Sequence, residues 1–143
     1  MARLARRAIQ RLRIRTSGTI AITFIGTRKM RTLHKRFMHQ DRATDVLSFR
    51  YDNESIRGEI LIAPRQAQAY VKQQGIGYEQ ELSRYVVHGL LHWLGHEDRT
   101  PNQQRQMRAR EDRLLAQCGY TNRDIFIFRV RKPGRKIETS RTQ

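Results

Sequence analysis

The sequence predicts an α+β fold in which helices pack on a small β-sheet. Three observations lead there. Three short runs, Thr19 to Ile25, Val46 to Tyr51 and Gly58 to Ala63, have the β-branched alternation or apolar density of strands. The stretches between and after them carry apolar residues at helical spacing, bounded by Pro, Gly or Thr. No internal repeat or domain linker breaks the 143 residues, so residues 1–143 read as one domain with one core.

The elements are predicted in chain order. Leu4, Ala8, Ile9 and Leu12 fall on one stripe of an arginine-rich N-terminal helix. This segment also has a transit peptide's arginines and lack of acids, but its stripe suits an ordinary packed helix better. The Thr19–Ile25 strand follows. Thr27 caps a helix through Met30, Leu33, His34 and Phe37. Val46–Tyr51 and Gly58–Ala63, joined by a turn at Asp52 and Asn53, are close enough for an antiparallel hairpin. Pro64 opens a helix ending near Gly75. Glu79 to Leu94 is a long helix that Val86, Val87, Leu90, Leu91 and Leu94 make largely buried. Pro101 opens a last helix through Met107, Leu114 and Leu115, closed by Gly119. Ile125 to Val130 is a further strand or an apolar anchor before the basic tail.

Composition narrows the function classes. No run of 18 or more apolar residues exists, so no membrane span is expected. Cys118 is the only cysteine, which excludes an internal disulfide and points to a reducing, cytoplasmic setting. Its neighbours Leu114 and Leu115 make it a buried bystander. Net charge is +16, from 29 basic and 13 acidic residues. Residues 1–15 hold +6 and residues 129–143 hold +5, leaving +5 for residues 16–128. The basic N-terminal helix and the basic C-terminal tail are therefore cationic arms, suited to polyphosphate partners by counterion release.

The richest motif is the end of the long helix, HGLLHWLGHED from His88 to Asp98. Histidines four apart share one helix face, about 6 Å between Cβ atoms, within reach of one metal ion. Gly95 then ends the helix and lets the chain bring back a third ligand. Asp98 is the best-spaced candidate; His96, immediately after the break, is the rival. Three protein ligands with a position left for water is the pattern of a catalytic zinc site, though nickel, copper or manganese fit such ligands too. His88, His92 and Asp98 are accordingly the candidate catalytic residues, acting through water on the ion. An aspartate ligand adds negative charge, leaving that water less acidic. The peptidase signature H-E-x-x-H has its general base directly after the first histidine; here that residue is Gly89. With a cationic surface, phosphodiesters become a better substrate class than peptides.

These residues carry a resemblance to the YbeY family of bacterial rRNA-maturation endoribonucleases. HGLLHWLGHED resembles that family's H-G-x-L-H-L-x-G-Y-D-H motif; Ala43 to Phe49 resembles P-T-D-V-L-S-F; Gly58-Glu59-Ile60 resembles G-D-I; and Met107 to Leu115 resembles the M-R-A-L-E helix. The likeness runs from about Ile20 to Tyr120. It implies a small mixed β-sheet packed with helices, with the histidine pair on a zincin-like metal helix. It implies one zinc ion on the three motif ligands and metal-dependent hydrolysis of single-stranded RNA. It further implies a role at the 16S rRNA 3′ end and in ribosome quality control, with ribosomal RNA and the ribosome or small-subunit proteins as partners.

The chain departs from the family at its third ligand, usually histidine and here Asp98, and at an arginine position occupied by Met38. A family asparagine is His34. Arg36 and Arg42 are candidates to replace the missing arginine on RNA phosphate, and Arg65, at a helix start, is another. Glu59 either accepts from a ligand histidine's N–H or pairs with Arg57. Thr44 and Ser48 suit strand-edge roles better than phosphate binding, and Trp93 suits the core better than base stacking. A noncatalytic RNA-binding assembly factor with a structural metal is the alternative function, and a metallopeptidase a more remote one.

Overall fold

The computed structural model describes residues 1–120 except residues 16, 53 and 54. The elements are α1 (Ala2–Arg11), β1 (Thr19–Phe24), α2 (Thr27–Met38), β2 (Val46–Arg50), β3 (Ile56–Ile62), α3 (Pro64–Gln74), α4 (Tyr78–Trp93) and α5 (Pro101–Gln117). The expected Ile125–Val130 strand, the 129–143 tail and part of the Asp52–Asn53 turn lie outside the described residues.

The sheet is small and mixed, with order β1-β3-β2. β3 runs parallel to β1 and antiparallel to β2, pairing Val46 with Ile62 and Arg50 with Gly58. Successive residues of a strand face opposite sides; one side packs on α4 and part of the other packs on α2. Val46, Ser48, Gly58 and Ile60 face α4. Ile60 and Ile62 join Leu4, Ala8, Val86, Val87, Leu90, Leu91, Met107 and Leu114 in the main core. Leu47 and Leu61 face the other way and join Met30 of α2 in a smaller cluster.

The helix ends follow local chemistry, with one correction. Thr27 does not cap α2: Gly26 is the N-cap residue and no side chain closes the end. Thr27 already lies inside the helix, whereas an N-cap residue must itself be extended to present its oxygen. α5 has a full capping box between Thr100 and Gln103. At the end of α4, Gly95 adopts φ +96°. Its N–H bonds the His92 carbonyl at 2.9 Å while His96 N–H bonds that of Leu91 at 3.0 Å, a Schellman closure. That left-handed step reverses the chain and sets the course of residues 96–98.

α4 is seated on the sheet through glycines. Ser48 Oγ donates to the Gly89 carbonyl at 2.8 Å. A Cβ on Gly89 would stand 2.4 Å from Ile60 Cγ2 and 3.0 Å from Val46 Cγ1. One on Gly58 would strike Trp93, whose indole N–H donates to the Arg57 carbonyl at 3.1 Å. Trp93 is thus a packing residue. Ser48 and Thr44, which donates to Asp45, have structural roles. Among the described residues no helix is long and apolar enough to cross a membrane.

Gly89→Val should force α4 off the sheet, because Ile60 is fully buried and has nowhere to move. The expected loss is about 1–3 kcal/mol, read as a lower urea midpoint at unchanged slope. An unchanged midpoint would contradict this seating.

Candidate metal centre

With Gly89 and Trp93 turned to the sheet, His88 and His92 stand about a quarter turn round α4. Their rings meet edge to face, centroids 4.4 Å apart. His88 Nε2 and His92 Nε2 are 2.9 Å apart, and Asp98 Oδ2 lies 3.5 Å from each. Tetrahedral ligands about 2.0–2.1 Å from a zinc ion stand about 3.3 Å from one another. These three atoms nearly form one face of such a tetrahedron. The donor set of two imidazoles and a carboxylate fits a borderline divalent cation, and all three side chains are partly exposed, which leaves a route for water and substrate.

The Schellman turn brings Asp98 back to the histidines. His96 is not in the ligand cluster, the one such group found among the described residues. His96 is held below the ordinary imidazole pKa by burial and by the nearby charges of Arg110 and His92.

A carboxylate outside the cluster holds the first histidine. Glu111 of α5 accepts from His88 Nδ1 at 2.6 Å, and its other oxygen accepts from Arg84 Nη1 at 2.9 Å. With its Nδ1 proton committed to Glu111, His88 must turn an Nε2 lone pair to the cluster, the tautomer a ligand needs. Without an ion, the 2.9 Å contact is then a hydrogen bond donated by His92 Nε2. Arg84 is anchored in turn by Asp112 at 2.9 Å, and Glu81 approaches it at 4.0 Å. One Glu81 oxygen is buried without a hydrogen-bond partner, and burial, outweighing Arg84, raises its pKa.

Burial opposes charge on His88, but the Glu111 contact, helped by Asp45 and Asp98, wins and raises its pKa. Burial also disfavours the Glu111 carboxylate, yet bonds from His88 and Arg84 hold its pKa below the usual range.

Glu111 is the residue that sequence reasoning missed. Its signal was an acid on an apolar helix stripe, four residues after Met107 and three before Leu114. Glu59, offered as the histidine's partner, lies on the opposite sheet face: it pairs with Phe49 across the strands and accepts from Tyr51 Oη at 3.3 Å. Alternation on β3 turns Ile60 to α4 and Glu59 away. Arg57 does not pair with it but donates to the Ser17 carbonyl at 2.8 Å. Arg36 and Arg42 lie exposed on and after α2; Arg36 stacks over Phe37 and Arg42 bonds Gln40. Arg65 is exposed at the start of α3. His34, buried, bonds the Arg42 carbonyl through Nδ1 at 2.8 Å. Cys118 is buried and its thiol pKa raised by burial.

Known proteins resemble this chain in sequence and in fold. A family model described as endoribonuclease YbeY matches residues 1–119. The protein named endoribonuclease YbeY of Thermobifida fusca is 30% identical over 127 residues, covering 81% of this chain and 82% of that protein. Its namesake in Thermodesulfovibrio yellowstonii is 35% identical over 103 residues, covering 68% and 65% respectively. The solution structure of TM1509 from Thermotoga maritima superposes with TM-score 0.52 at 20% identity, covering 86% of this chain and 87% of that one. That likeness concerns the fold alone.

Two expectations follow. In zinc(II) competition against a chromophoric chelator, Asp98→Ala should abolish tight binding and His96→Ala should leave it intact. Glu111→Gln should weaken it by about 10- to 100-fold; loss in His96→Ala alone would reassign the third ligand. The second expectation concerns pH. The contribution of His88 is fully present below its ordinary pKa of 6.5 and is lost as pH rises through its raised folded value. That of Glu111 is present above 4.5 and is lost as pH falls through its lowered folded value. The metal-free protein should therefore lose thermal stability as pH rises above the ordinary imidazole value of 6.5. Zinc(II) should stabilise it more strongly over that range, because ligands must shed protons to bind. A metal-free Tm that rises with pH there would contradict the His88–Glu111 pairing.

Proposed function

Because the chain belongs to the YbeY endoribonuclease family, we propose that it hydrolyses phosphodiester bonds of single-stranded RNA at the His88, His92 and Asp98 centre. The observation that carries this reading is the convergence of three ligand atoms, all within 4.8 Å of one another, beside a carboxylate that fixes the first imidazole. The proposed ion is one zinc, held by these three residues on a helix used in zincin fashion. When bound, such an ion polarises a phosphoryl oxygen and makes water acidic enough to ionise near neutrality.

The chain's own residues have separable tasks. Glu111 holds the His88 Nδ1 proton, so that Nε2 stays a donor of electrons. His88 and Arg84 together keep Glu111 ionised despite its burial. Asp98 closes the third corner and adds a negative charge, making the centre less electrophilic than one with three histidines. Exposed arginines take the RNA backbone; Arg36, Arg42 and Arg65 are assigned this role, as Met38 stands where the family has an arginine. Arg42 lies in the loop that leads into β2, and β2 borders α4.

The proposed setting is the cytoplasm. The proposed task is maturation of ribosomal RNA precursors at the 16S 3′ end and ribosome quality control, with the ribosome or small-subunit proteins as partners. A second reading, a noncatalytic RNA-binding assembly factor with a structural metal, is favoured by Met38 and by Asp98. Peptidase chemistry is disfavoured by packing: a side chain at position 89 would enter Ile60 and Val46, so no base can stand there.

The deciding assay follows a single-stranded RNA bearing a 16S 3′ precursor sequence. Chelation should stop its cleavage and zinc(II) restore it. His88→Ala should cut the rate by more than the roughly 100-fold expected from losing an outer partner. Cleavage that survives in the metal-free His88→Ala protein would overturn the hydrolase reading, and RNA binding without products would favour the assembly-factor reading.

A further inference from the structure

The sheet face opposite α4 carries a row of aromatic rings that the metal centre does not use. Phe37, near the end of α2, meets Phe49 of β2 edge to face at 5.0 Å between centroids. Tyr51 follows Phe49 by two residues and so points to the same side. Its hydroxyl donates to Glu59, the cross-strand partner of Phe49. Phe37 is 49% exposed, Tyr51 40%, and Met38, next to Phe37, 53%. Phe49 is partly buried against the smaller core cluster and anchors the two exposed rings, and a contiguous apolar surface open to water is the kind that marks a binding site.

The surroundings identify what the surface suits. Residues 27–42 hold six basic side chains, Arg28, Lys29, Arg31, Lys35, Arg36 and Arg42, against one acid, Asp41. Asp41 pairs with Arg31 and Lys35. The Arg36 guanidinium lies 5.4 Å over the Phe37 ring centroid. Exposed rings set among cations form the combination that binds unpaired nucleotides: bases stack on the rings while arginine and lysine meet the phosphates. An apolar protein partner would gain nothing from the excess charge.

We propose that Phe37, Phe49 and Tyr51 form a stacking platform for bases of single-stranded RNA, distinct from the metal centre. The proposal rests on the RNA substrate class argued above and extends it to a second contact region. β2 links the two: it is an edge strand of the sheet, Ser48 bonds Gly89 beside His88, and the next residue, Phe49, faces the platform. One strand of RNA rounding that edge touches both. The platform reads the presence of bases, whereas a metal centre reads phosphate.

The test uses the full chain and equilibrium binding by fluorescence anisotropy, with no cleavage required. The probes are a ten-nucleotide single-stranded RNA and a ribose-phosphate strand of equal length lacking bases. Wild type should prefer the strand with bases. Phe37→Ala/Tyr51→Ala should weaken that strand's binding by about tenfold or more while leaving the abasic strand and the salt dependence unchanged. Phe37→Tyr, which keeps a ring, should retain binding. Retained zinc(II) binding certifies that each variant folds. Equal loss on both strands, or none on either, overturns the platform. So does a variant that changes only self-association in sedimentation, which would make this face a protein interface. Absence of RNA cleavage with these binding results intact would count against the hydrolase reading and leave the platform standing.

Discussion

The close seating of α4 on the sheet governs everything at the centre. Because Gly89 has no side chain, the helix backbone can rest on Ile60 and Val46 and take a hydrogen bond from Ser48. That contact fixes the rotation of α4 about its axis. Rotation in turn decides that Leu90 and Leu91 enter the core and that His88 and His92 emerge beside it, accessible to solvent. The same glycine that lets the helix approach also removes any chance of a general base at that position. Packing and chemistry are set here by one missing Cβ.

The second constraint is electrostatic. Arg84, Glu111 and Glu81 are all buried, and buried charges persist only when paired and hydrogen-bonded. Arg84 binds both Glu111 and Asp112, joining α4 to α5 with geometry good enough to offset desolvation. Glu111 then extends the chain of contacts to His88. The centre is thus supported from its inner side by a fixed charge array, with its outer side open. Glu81, with one oxygen that lacks a hydrogen bond, is the least well satisfied member of this array, and its raised pKa is the expected response to burial.

Much of this was legible in the sequence, for identifiable reasons. The strands and helices carry their own punctuation: Pro64 and Pro101 at helix starts, Gly75, Gly95 and Gly119 in left-handed closures. The approach of His88 to His92 was legible because i and i+4 share a helix face, and that of Asp98 because a glycine turn returns the chain at a fixed offset. What stayed hidden depends on contacts between distant segments. Glu111 meets His88 across 23 residues, and its place on an apolar helix stripe marks it as inward-facing without naming the histidine it meets. Glu59 was ambiguous until the register of β3 placed it opposite Phe49. The aromatic row likewise joins a helix end to a strand, and becomes visible only once β2 and α2 are packed together. Thr27 was misread as a cap because the boundary fell one residue earlier than its hydroxyl suggested.

The central claim is that one divalent ion is bound by His88, His92 and Asp98 with Glu111 behind the first imidazole. The most direct measurement is anomalous diffraction at the zinc edge from crystals of the full chain grown with zinc(II). The account predicts a single strong peak within bonding distance, about 2.0–2.2 Å, of His88 Nε2, His92 Nε2 and an Asp98 carboxylate oxygen. A peak bonded to His96 instead, or no peak while the three side chains point apart, would contradict it.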